Sequence, residues 1–548
     1  MNKLTMIILV VCLISFSASS SFAVTINMAD SKPFNEAVRG LVYSPDVFDG
    51  PMLNKTLSVV NNASLRGVSN GSPSNTYNWK DRASACCVYD GRGRSTLQFL
   101  RDAQFANALA FINLNAFTIG TGINGNWVET DANIPALAQL AADWVYYTNY
   151  MLQLYRQGDT IPSADTNAIR ILDEITWSDI YRYCDELPAQ GEPNISTDIY
   201  WEVGNEVESL VDDYHDRYEG ITEAMLAVDP SINVGPSLGN IDTLNLGIMD
   251  AVLNDSSLQV DFVVFHPYGP ICYNESEYNN IGLYESGLAS ISNWVVNDIL
   301  TPIRSHITAS GRNVNQMKIA FTEWNPSCGA SASTVAGARM TQALAVAEVI
   351  FNFADQGVFA AHFLPGPRNM FQTKYPYFLT YEMLAENMGN DLVSTYRNGM
   401  FRRYVTRDSQ SGKIVIWGLN FDNDTDVTET GLSLTNLPQG FEAQSITLWR
   451  LQDVHQATSL FSINDDPNGW DNVQWTSMDK TSTINLSNFN LTYKAAEITA
   501  LVIIPKPTVC DDYITTYIAA DLNHDCIVNF DDFVLVGSTW FQCTDNCD

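Results

Sequence analysis

The feature that most constrains the fold is a change in the pattern of apolar residues near residue 390. Before it, short apolar runs alternate with longer segments whose apolar residues recur with the period of a helix. Six strand-like runs lie at 39–43, 108–113, 199–203, 260–265, 318–322 and 358–363, with helical patterns such as 134–157 and 335–355 between them. Apolar strands that are each followed by a helix are typical of a parallel sheet buried on both faces. Roughly 350 residues of this alternation predict an α/β fold, a (β/α)8 TIM barrel over residues 24–390.

After residue 395 the chain carries short runs rich in β-branched residues, separated by Asn, Asp, Gly and Pro, with no helical pattern. The clearest runs lie at 401–406, 413–417, 445–449 and 499–504. They predict a C-terminal antiparallel β-sandwich over residues 391–506, and the first strand of the chain is a further candidate member. Pro505 and Pro507 mark a linker, and a compact tail follows over residues 510–548.

The N-terminus has the pattern of an export signal. Lys3 precedes a short apolar run at 6–14, and Ser21-Phe22-Ala23 provides a small-x-small cleavage site, so we expect a signal peptide over residues 1–23 and a secreted, extracellular protein. The apolar run is too short to span a bilayer. Of the 10 cysteines, all but Cys12 lie beyond this segment, and export favours disulfides over metal sites for them.

The charge excludes some classes of partner. With 29 Lys and Arg against 62 Asp and Glu, the net charge is −33. Binding to nucleic acid or to an anionic membrane needs clustered basic residues, so neither partner is expected. A neutral ligand such as a glycan is compatible with this charge.

Two of the predicted strands end in glutamate. Residues 199–203 lead into Gly204-Asn205-Glu206, and residues 318–322 lead into Glu323-Trp324-Asn325. Catalytic groups of such barrels sit at the carboxyl ends of the strands. A pair of carboxyl groups there is what glycoside hydrolysis requires, one as acid and one as nucleophile or base. We therefore predict Glu206 and Glu323 as catalytic residues.

This pair of motifs resembles the clan A glycoside hydrolases, and most closely their α-L-arabinofuranosidase and heparanase-like branch. The segments 65–66, 72–81 and 141–149 are similar to the second strand region and to the helix before the acid/base strand of those enzymes. Residues 67–71 depart from the family pattern, which usually has Pro-Gly-Gly there. The resemblance implies that Glu206 is the acid/base and Glu323 the nucleophile of a retaining enzyme. It also implies substrate-binding roles for Arg66, Asn205, His266 and Tyr268. Of the tryptophans, Trp324 is the best candidate for a platform that stacks on a sugar face and so binds substrate.

Other short motifs fit loops better than active sites. Residues 67–71 match the G-x-S-x-G nucleophile elbow, and residues 120–125 match the dinucleotide-binding fingerprint. Neither is followed directly by a helical pattern, which both motifs require. Asn113 and Asn115 follow the third strand, where they suit either a turn or a contact with sugar hydroxyls.

The tail carries oxygen-bearing side chains at the spacing of a calcium loop. The predicted Ca2+ ligands are Asp521, Asn523, Asp525, Ile527 through its carbonyl, Asn529 and Asp532. The segment resembles the EF-hand-like calcium loop of dockerin modules, which implies a cohesin-type scaffold protein as partner. It departs from the pattern at Cys526, which stands at the usual glycine, and no second loop is visible.

These observations predict a secreted retaining glycoside hydrolase that acts on a plant or algal polysaccharide or oligosaccharide and needs no cofactor for catalysis. Two alternatives remain open. One is an endo-β-glycanase or galactanase of the same clan, and the other is a non-catalytic glycan-binding scaffold protein.

Overall fold

The computed structural model describes most of the chain between residues 24 and 506. The described ranges are 24–42, 57–67, 83–84, 87–88, 96–117, 119–121, 128–130, 134–151, 198–271, 280–327, 339–364, 375–438, 440–463 and 472–506. No helix within these ranges combines the length and the apolar character needed to cross a membrane. The predicted signal peptide and calcium-binding tail lie outside the described residues, as does Pro507 of the predicted linker, whereas Pro505 ends the last described strand.

The first 15 strands, in chain order, are β1 (Thr25–Asn27), β2 (Lys32–Pro33), β3 (Gly40–Val42), β4 (Ser64–Gly67), β5 (Ala83–Ser84), β6 (Cys87–Val88), β7 (Leu109–Leu114), β8 (Ile119–Thr121), β9 (Val128–Thr130), β10 (Ile199–Val203), β11 (Asn233–Pro236), β12 (Phe262–Val264), β13 (Tyr268–Ile271), β14 (Lys318–Ser327) and β15 (Ala360–Phe363). The helices are α1 (Thr96–Phe105), α2 (Ile134–Tyr146), α3 (Tyr214–Val228), α4 (Thr243–Leu253), α5 (Ile281–Asn293), α6 (Thr301–Ala309), α7 (Met340–Asp355) and α8 (Pro376–Asn387).

A nine-stranded sheet forms the barrel. Its strands follow the order β11-β10-β7-β4-β3-β15-β14-β12, all in parallel pairs, and β13 adds to β14. A parallel bridge between Ser237, just after β11, and Val264 of β12 joins the two ends of this path. The predicted eight-stranded barrel is therefore present and closed, with helices on its outside.

Alternation along each strand divides the barrel residues between two cores. On β10, Trp201 packs outward against Trp144 of α2, with ring centroids 5.8 Å apart. Its neighbour Tyr200 points inward and stacks on Phe111 at 4.9 Å. The inward apolar residues form a separate cluster inside the barrel: Ala37, Phe111, Tyr200, Phe262, Val264, Ala320 and Ala360. This cluster fills the barrel interior, so the inward residues that come after it along each strand stand at the carboxyl-terminal mouth.

The remaining strands form the predicted antiparallel sandwich: β16 (Asp391–Asn398), β17 (Phe401–Arg407), β18 (Ile414–Asn420), β19 (Val427–Thr435), β20 (Ala443–Asp453), β21 (Val473–Asp479), β22 (Phe489–Tyr493) and β23 (Ile498–Pro505). One sheet has the order β2-β16-β17-β18-β23-β20-β21 and the other the order β1-β19-β22. The N-terminal strands β1 and β2 thus belong to the sandwich. A core of buried aliphatic and aromatic residues lies between the two sheets.

Helix α7 joins the barrel to the sandwich. Phe351 on this helix stacks on Tyr404 of β17, with ring centroids 4.3 Å apart. Beside this pair the buried Glu348 accepts hydrogen bonds from Arg402 Nε at 3.1 Å and from the Tyr404 hydroxyl at 2.6 Å. Burial raises the pKa of Glu348, although Arg402 and Tyr404 oppose the shift. These contacts between α7 and β17 are therefore buried, and the sandwich packs against the outside of the barrel.

Candidate active site

The loop after β10 places Glu206 at the barrel mouth. Gly204 has φ +85°, and a Cβ built there would lie 2.5 Å from Val207 Cγ1, so only glycine fits. Glu206 itself has φ 49° and ψ 65°, in the left-handed region that non-glycine residues seldom occupy. Its side chain is 43% exposed. Strained backbone of this kind concentrates at functional sites, where surrounding contacts hold it.

A bulge in β14 turns Glu323 toward the barrel axis. Phe321 pairs with Ala361 and Trp324 with Phe363, so β14 advances three residues while β15 advances two. The extra residue lets both Thr322 and Glu323 point inward, whereas Trp324 faces outward. Bulges next to active sites commonly re-aim a side chain in this way.

Glu206 and Glu323, which lie 117 residues apart in sequence, meet at the mouth. One carboxylate oxygen of each and a ring nitrogen of His266 lie within 4.8 Å of one another. Carboxyl groups about 5–5.5 Å apart are typical of retaining glycosidases, whereas inverting enzymes need about 6.5–9.5 Å. The same three groups resemble a metal-ligand set, but Arg66 Nη1 lies only 2.6 Å from Glu323 Oε1. A guanidinium at that distance would repel a bound cation.

Arg66 on β4 holds the polar layer of the site together. Its guanidinium donates to Glu323, to Glu202 Oε2 at 2.9 Å and to Asn205 Oδ1 at 2.8 Å. The side chain is fully buried. Burial lowers the pKa of Arg66, but the negative charges of Glu202 and Glu323 outweigh burial and raise it, so the group stays positive.

The two candidate catalytic carboxyls have different surroundings. Burial raises the pKa of Glu323, but the charges of His266 and Arg66, with hydrogen bonds from Tyr268 and Arg66, outweigh burial and lower it. The Tyr268 hydroxyl donates to Glu323 Oε2 at 2.7 Å. Burial and the Glu323 charge raise the pKa of Tyr268, so its hydroxyl keeps its proton. Glu323 is therefore an ionised carboxylate, as a nucleophile must be.

His266 lies between the two carboxyls. Its Nδ1 is 3.1 Å from Glu206 Oε1 and 4.0 Å from Glu323 Oε2, and its Nε2 is 3.2 Å from the Thr322 hydroxyl. The structure thus brings together Glu206, Glu323, Arg66, Asn205, His266 and Tyr268 of the predicted site residues.

Trp324 does not belong to this group. Its side chain is 0% exposed and packs between Phe353 at 5.5 Å and Phe363 at 5.1 Å. The prediction that Trp324 stacks on a sugar is therefore wrong, because the bulge turns it into the core between the barrel and α7. Asn115 accepts from the amide of Phe117 at 2.9 Å, which is the turn role.

Glu202 is the residue that the sequence analysis missed. It is fully buried on β10 and accepts from Arg66, Asn113, Ser237 and Thr322. Asn113 donates to it at 2.8 Å, so this side chain supports the site from below. A charged residue inside an otherwise apolar strand, as in residues 199–203, is the signal that could have identified it, because buried charges are costly unless paired.

Comparisons with known proteins find likeness in fold. No family model matches the chain, and no curated protein matches it in sequence. An α-L-arabinofuranosidase from Thermotoga maritima, solved as an arabinose complex, superimposes with a TM-score of 0.62 at 15% identity over 89% of this chain and 100% of that chain. CelM2, a bifunctional glucanase-xylanase from a metagenome library, gives 0.59 at 15% identity over 88% and 99%. A Paenibacillus polymyxa xyloglucanase of glycoside hydrolase family 44 gives 0.57 at 12% identity over 88% and 99%. At these identities the comparisons establish the barrel-and-sandwich architecture.

Proposed function

We propose that this chain is a retaining glycoside hydrolase. The observation that carries the proposal is the pair of carboxyls at the barrel mouth, whose nearest oxygens are within 4.8 Å, with one side chain 43% exposed and the other buried against Arg66. Two carboxyls in contrasting environments, at this spacing, suit a double displacement. The structural neighbours, an arabinofuranosidase, a glucanase-xylanase and a xyloglucanase, are all named as glycosidases, which agrees with this reaction class.

In the first step the Glu323 carboxylate attacks the anomeric carbon, and a bond forms between them as the bond to the leaving oxygen breaks. Glu206 gives its proton to that oxygen. In the second step Glu206, now ionised, takes a proton from water, whose oxygen attacks the same carbon and releases Glu323. Arg66 and Tyr268 hold the nucleophile ionised and in place, since each donates to one of its oxygens.

The substrate we propose is a plant or algal polysaccharide, with an α-L-arabinofuranoside as the first linkage to test. Neighbours named as glucanase, xylanase and xyloglucanase make an endo-acting β-glycanase the second candidate. The two differ in product size: the first releases single sugars, and the second releases oligosaccharides from within a chain.

The test is hydrolysis by the full chain of a panel of aryl glycosides and polysaccharides, with Glu323→Gln as control. Turnover that is lost in the variant, and a product whose anomeric configuration is retained by proton NMR, are the expected results. An inverted product would refute the double displacement. Binding of glycans without turnover on any panel member would favour the glycan-binding scaffold protein instead.

We also propose that the protein is secreted and that its tail binds Ca2+ through residues 521–532, with a cohesin-type scaffold protein as partner. These proposals rest on the N-terminal signal pattern and on the spacing of oxygen ligands. The charge of −33 supports the expectation that the partners include neither nucleic acid nor an anionic membrane.

A further inference from the structure

A chain of hydrogen bonds joins the buried Glu202 to the acid/base candidate Glu206. The Thr322 hydroxyl donates to Glu202 Oε2 at 3.0 Å and lies 3.2 Å from His266 Nε2. The other ring nitrogen, Nδ1, lies 3.1 Å from Glu206 Oε1. The chain therefore runs from the barrel interior to the mouth through one hydroxyl and one imidazole.

The protons in this chain have a fixed direction. Within the described part of the chain, the side chains that hydrogen-bond to Glu202 all do so with N–H or O–H donors, namely those of Arg66, Asn113, Ser237 and Thr322. Glu202 is thus an acceptor only, and the single proton of the Thr322 hydroxyl must lie on it. The lone pairs of that hydroxyl then face His266 Nε2, which must carry a proton to make a hydrogen bond.

With Nε2 protonated, neutral His266 presents a lone pair at Nδ1. An ionised Glu206 would face that lone pair at 3.1 Å and be repelled, whereas a protonated Glu206 donates a hydrogen bond to it. The opposite tautomer, with its proton on Nδ1, would instead stabilise ionised Glu206. The identity of the His266 tautomer therefore decides whether a proton is held at Glu206.

We propose that Glu202 and Thr322 are positioning residues that fix the Nε2–H tautomer of His266, so that the site keeps a proton between His266 and Glu206 for transfer to the leaving group. This proposal rests on the proposed hydrolase function. Glu202 does so from the barrel interior without touching substrate. Through Arg66 the same carboxylate also positions the nucleophile Glu323.

The charged and titratable groups of the polar layer around His266 come from several strands. Glu206, Glu323 and His362 interact with His266 itself, whereas Glu202, Arg66 and Tyr268 contact Thr322 or Glu323 beside it. Of these, His362 is neutral, because burial, together with the positive charge of Arg66, keeps its pKa well below the ordinary value. None of them contacts Nε2, so the tautomer is set by Thr322.

The test compares Thr322→Val with Thr322→Ser in the full chain. Thr322→Val keeps the shape and removes the hydroxyl, so His266 is free to change tautomer and to donate a hydrogen bond from Nδ1 to an ionised Glu206. General acid catalysis contributes roughly 10²–10⁴-fold, so kcat/KM for substrates with poor leaving groups should fall at least about 10-fold. Dinitrophenyl glycosides, which need no acid, should stay within about twofold. The alkaline limb of the kcat/KM profile should move to lower pH, and Thr322→Ser should restore both properties.

Thr406→Val is the matched control. Thr406 is a buried strand residue of the sandwich, and its hydroxyl accepts from the Trp417 ring nitrogen at 3.1 Å. The variant Thr406→Val therefore loses a hydrogen bond of the same kind, but away from the site. The dependence of its kcat/KM on the leaving group should match that of the wild type. An equal loss in Thr322→Val on good and poor leaving groups would overturn the proposal.

A second measurement does not depend on activity. In wild-type protein labelled with ¹⁵N at its 6 histidines, His266, assigned by His266→Gln, should show the Nε2–H tautomer when neutral. An Nδ1–H tautomer would refute the proposal that Glu202 and Thr322 fix the tautomer of His266. If the wild type hydrolyses glycosides but shows the Nδ1–H tautomer, the proposed function stands and only the role of Glu202 and Thr322 is refuted. If the protein shows the Nε2–H tautomer but is inactive, only the proposed function is contradicted.

Discussion

The removal of Arg66 is the perturbation whose effect on stability the structure defines best. Arg66→Met keeps most of the aliphatic volume and deletes the guanidinium. Glu202 then loses contacts at 2.9 and 3.1 Å, and Glu323 loses one at 2.6 Å, inside a region with no solvent access to Arg66. Removing one partner of a buried ion pair costs about 3–5 kcal/mol, because an uncompensated charge stays behind. We expect a loss of this size at pH 7.

The loss should depend on pH with a defined sign. In the wild type the pKa of Glu323 is below its ordinary value, so Glu323 contributes stability above the unfolded value of about 4.3, and this is lost as pH falls through the folded value. Without Arg66, less positive charge opposes the effect of burial, so the pKa of Glu323 rises. The deficit of the variant is therefore largest at neutral pH and shrinks near pH 4, where the carboxyl takes up a proton.

The assay is denaturant unfolding at pH 7, 5 and 4, followed by tryptophan fluorescence and by circular dichroism. Arg39→Met serves as the control, because Arg39 is equally buried but its partner Glu36 is 23% exposed and can be hydrated. Its loss should be about 1–3 kcal/mol, from the carbonyls of Val59 and Asn61 that lose their donor. If Arg66→Met loses the same free energy of unfolding at pH 7 and at pH 4, the loss comes from packing and not from buried carboxylates left without a partner. That result would refute the reasoning.

Three further predictions concern the mouth and the tail. Glu206→Ala should reduce turnover of natural linkages by roughly 10²–10⁴-fold and spare dinitrophenyl glycosides; equal loss on both would remove Glu206 from the acid/base role. Gly204→Ala should lower the free energy of unfolding by more than about 1 kcal/mol, because its φ is +85° and Val207 lies 2.5 Å from the new Cβ, whereas Gly247→Ala, with nothing within 4 Å, should not. Calcium added to the chelator-treated full chain should protect amides of residues 510–548 from hydrogen exchange, and Asp521→Ala should abolish that protection; unchanged exchange on adding calcium would contradict metal binding there.

The apolar runs predicted most of the barrel but not all its strands. The runs at 108–113, 199–203 and 318–322 correspond to β7, β10 and β14, because buried parallel strands need continuous apolar residues. Strand β11 was not predicted, because its four residues Asn-Val-Gly-Pro contain no continuous apolar run. Its conformation comes from pairing with β10, where Tyr200 lies opposite Asn233, and only the tertiary structure supplies that pairing.

The same limit explains the error at Trp324. Strict alternation from Ala320, which faces the barrel interior, would bring Thr322 and Trp324 inward and turn Glu323 outward. The bulge adds one residue after Phe321 and reverses the last two assignments. The sequence analysis placed Glu323 at a strand end, whereas β14 continues to Ser327, and no local sequence pattern marks the bulge that turns this side chain inward.

The inward residues show why stability and chemistry occupy different levels of the barrel. Along five of the barrel strands an apolar inward residue is followed, two positions later, by a polar one: Phe111 by Asn113, Tyr200 by Glu202, Val264 by His266, Ala320 by Thr322 and Ala360 by His362. Two residues advance a strand by about 6.6 Å, so a hydrophobic layer lies one side chain beneath a polar one. The lower layer excludes water from the underside of Glu202 and Arg66, and this strengthens their ion pair while making either residue costly to remove alone. Glu206, 43% exposed at the rim, lies above both layers, so its replacement should affect the reaction far more than the fold.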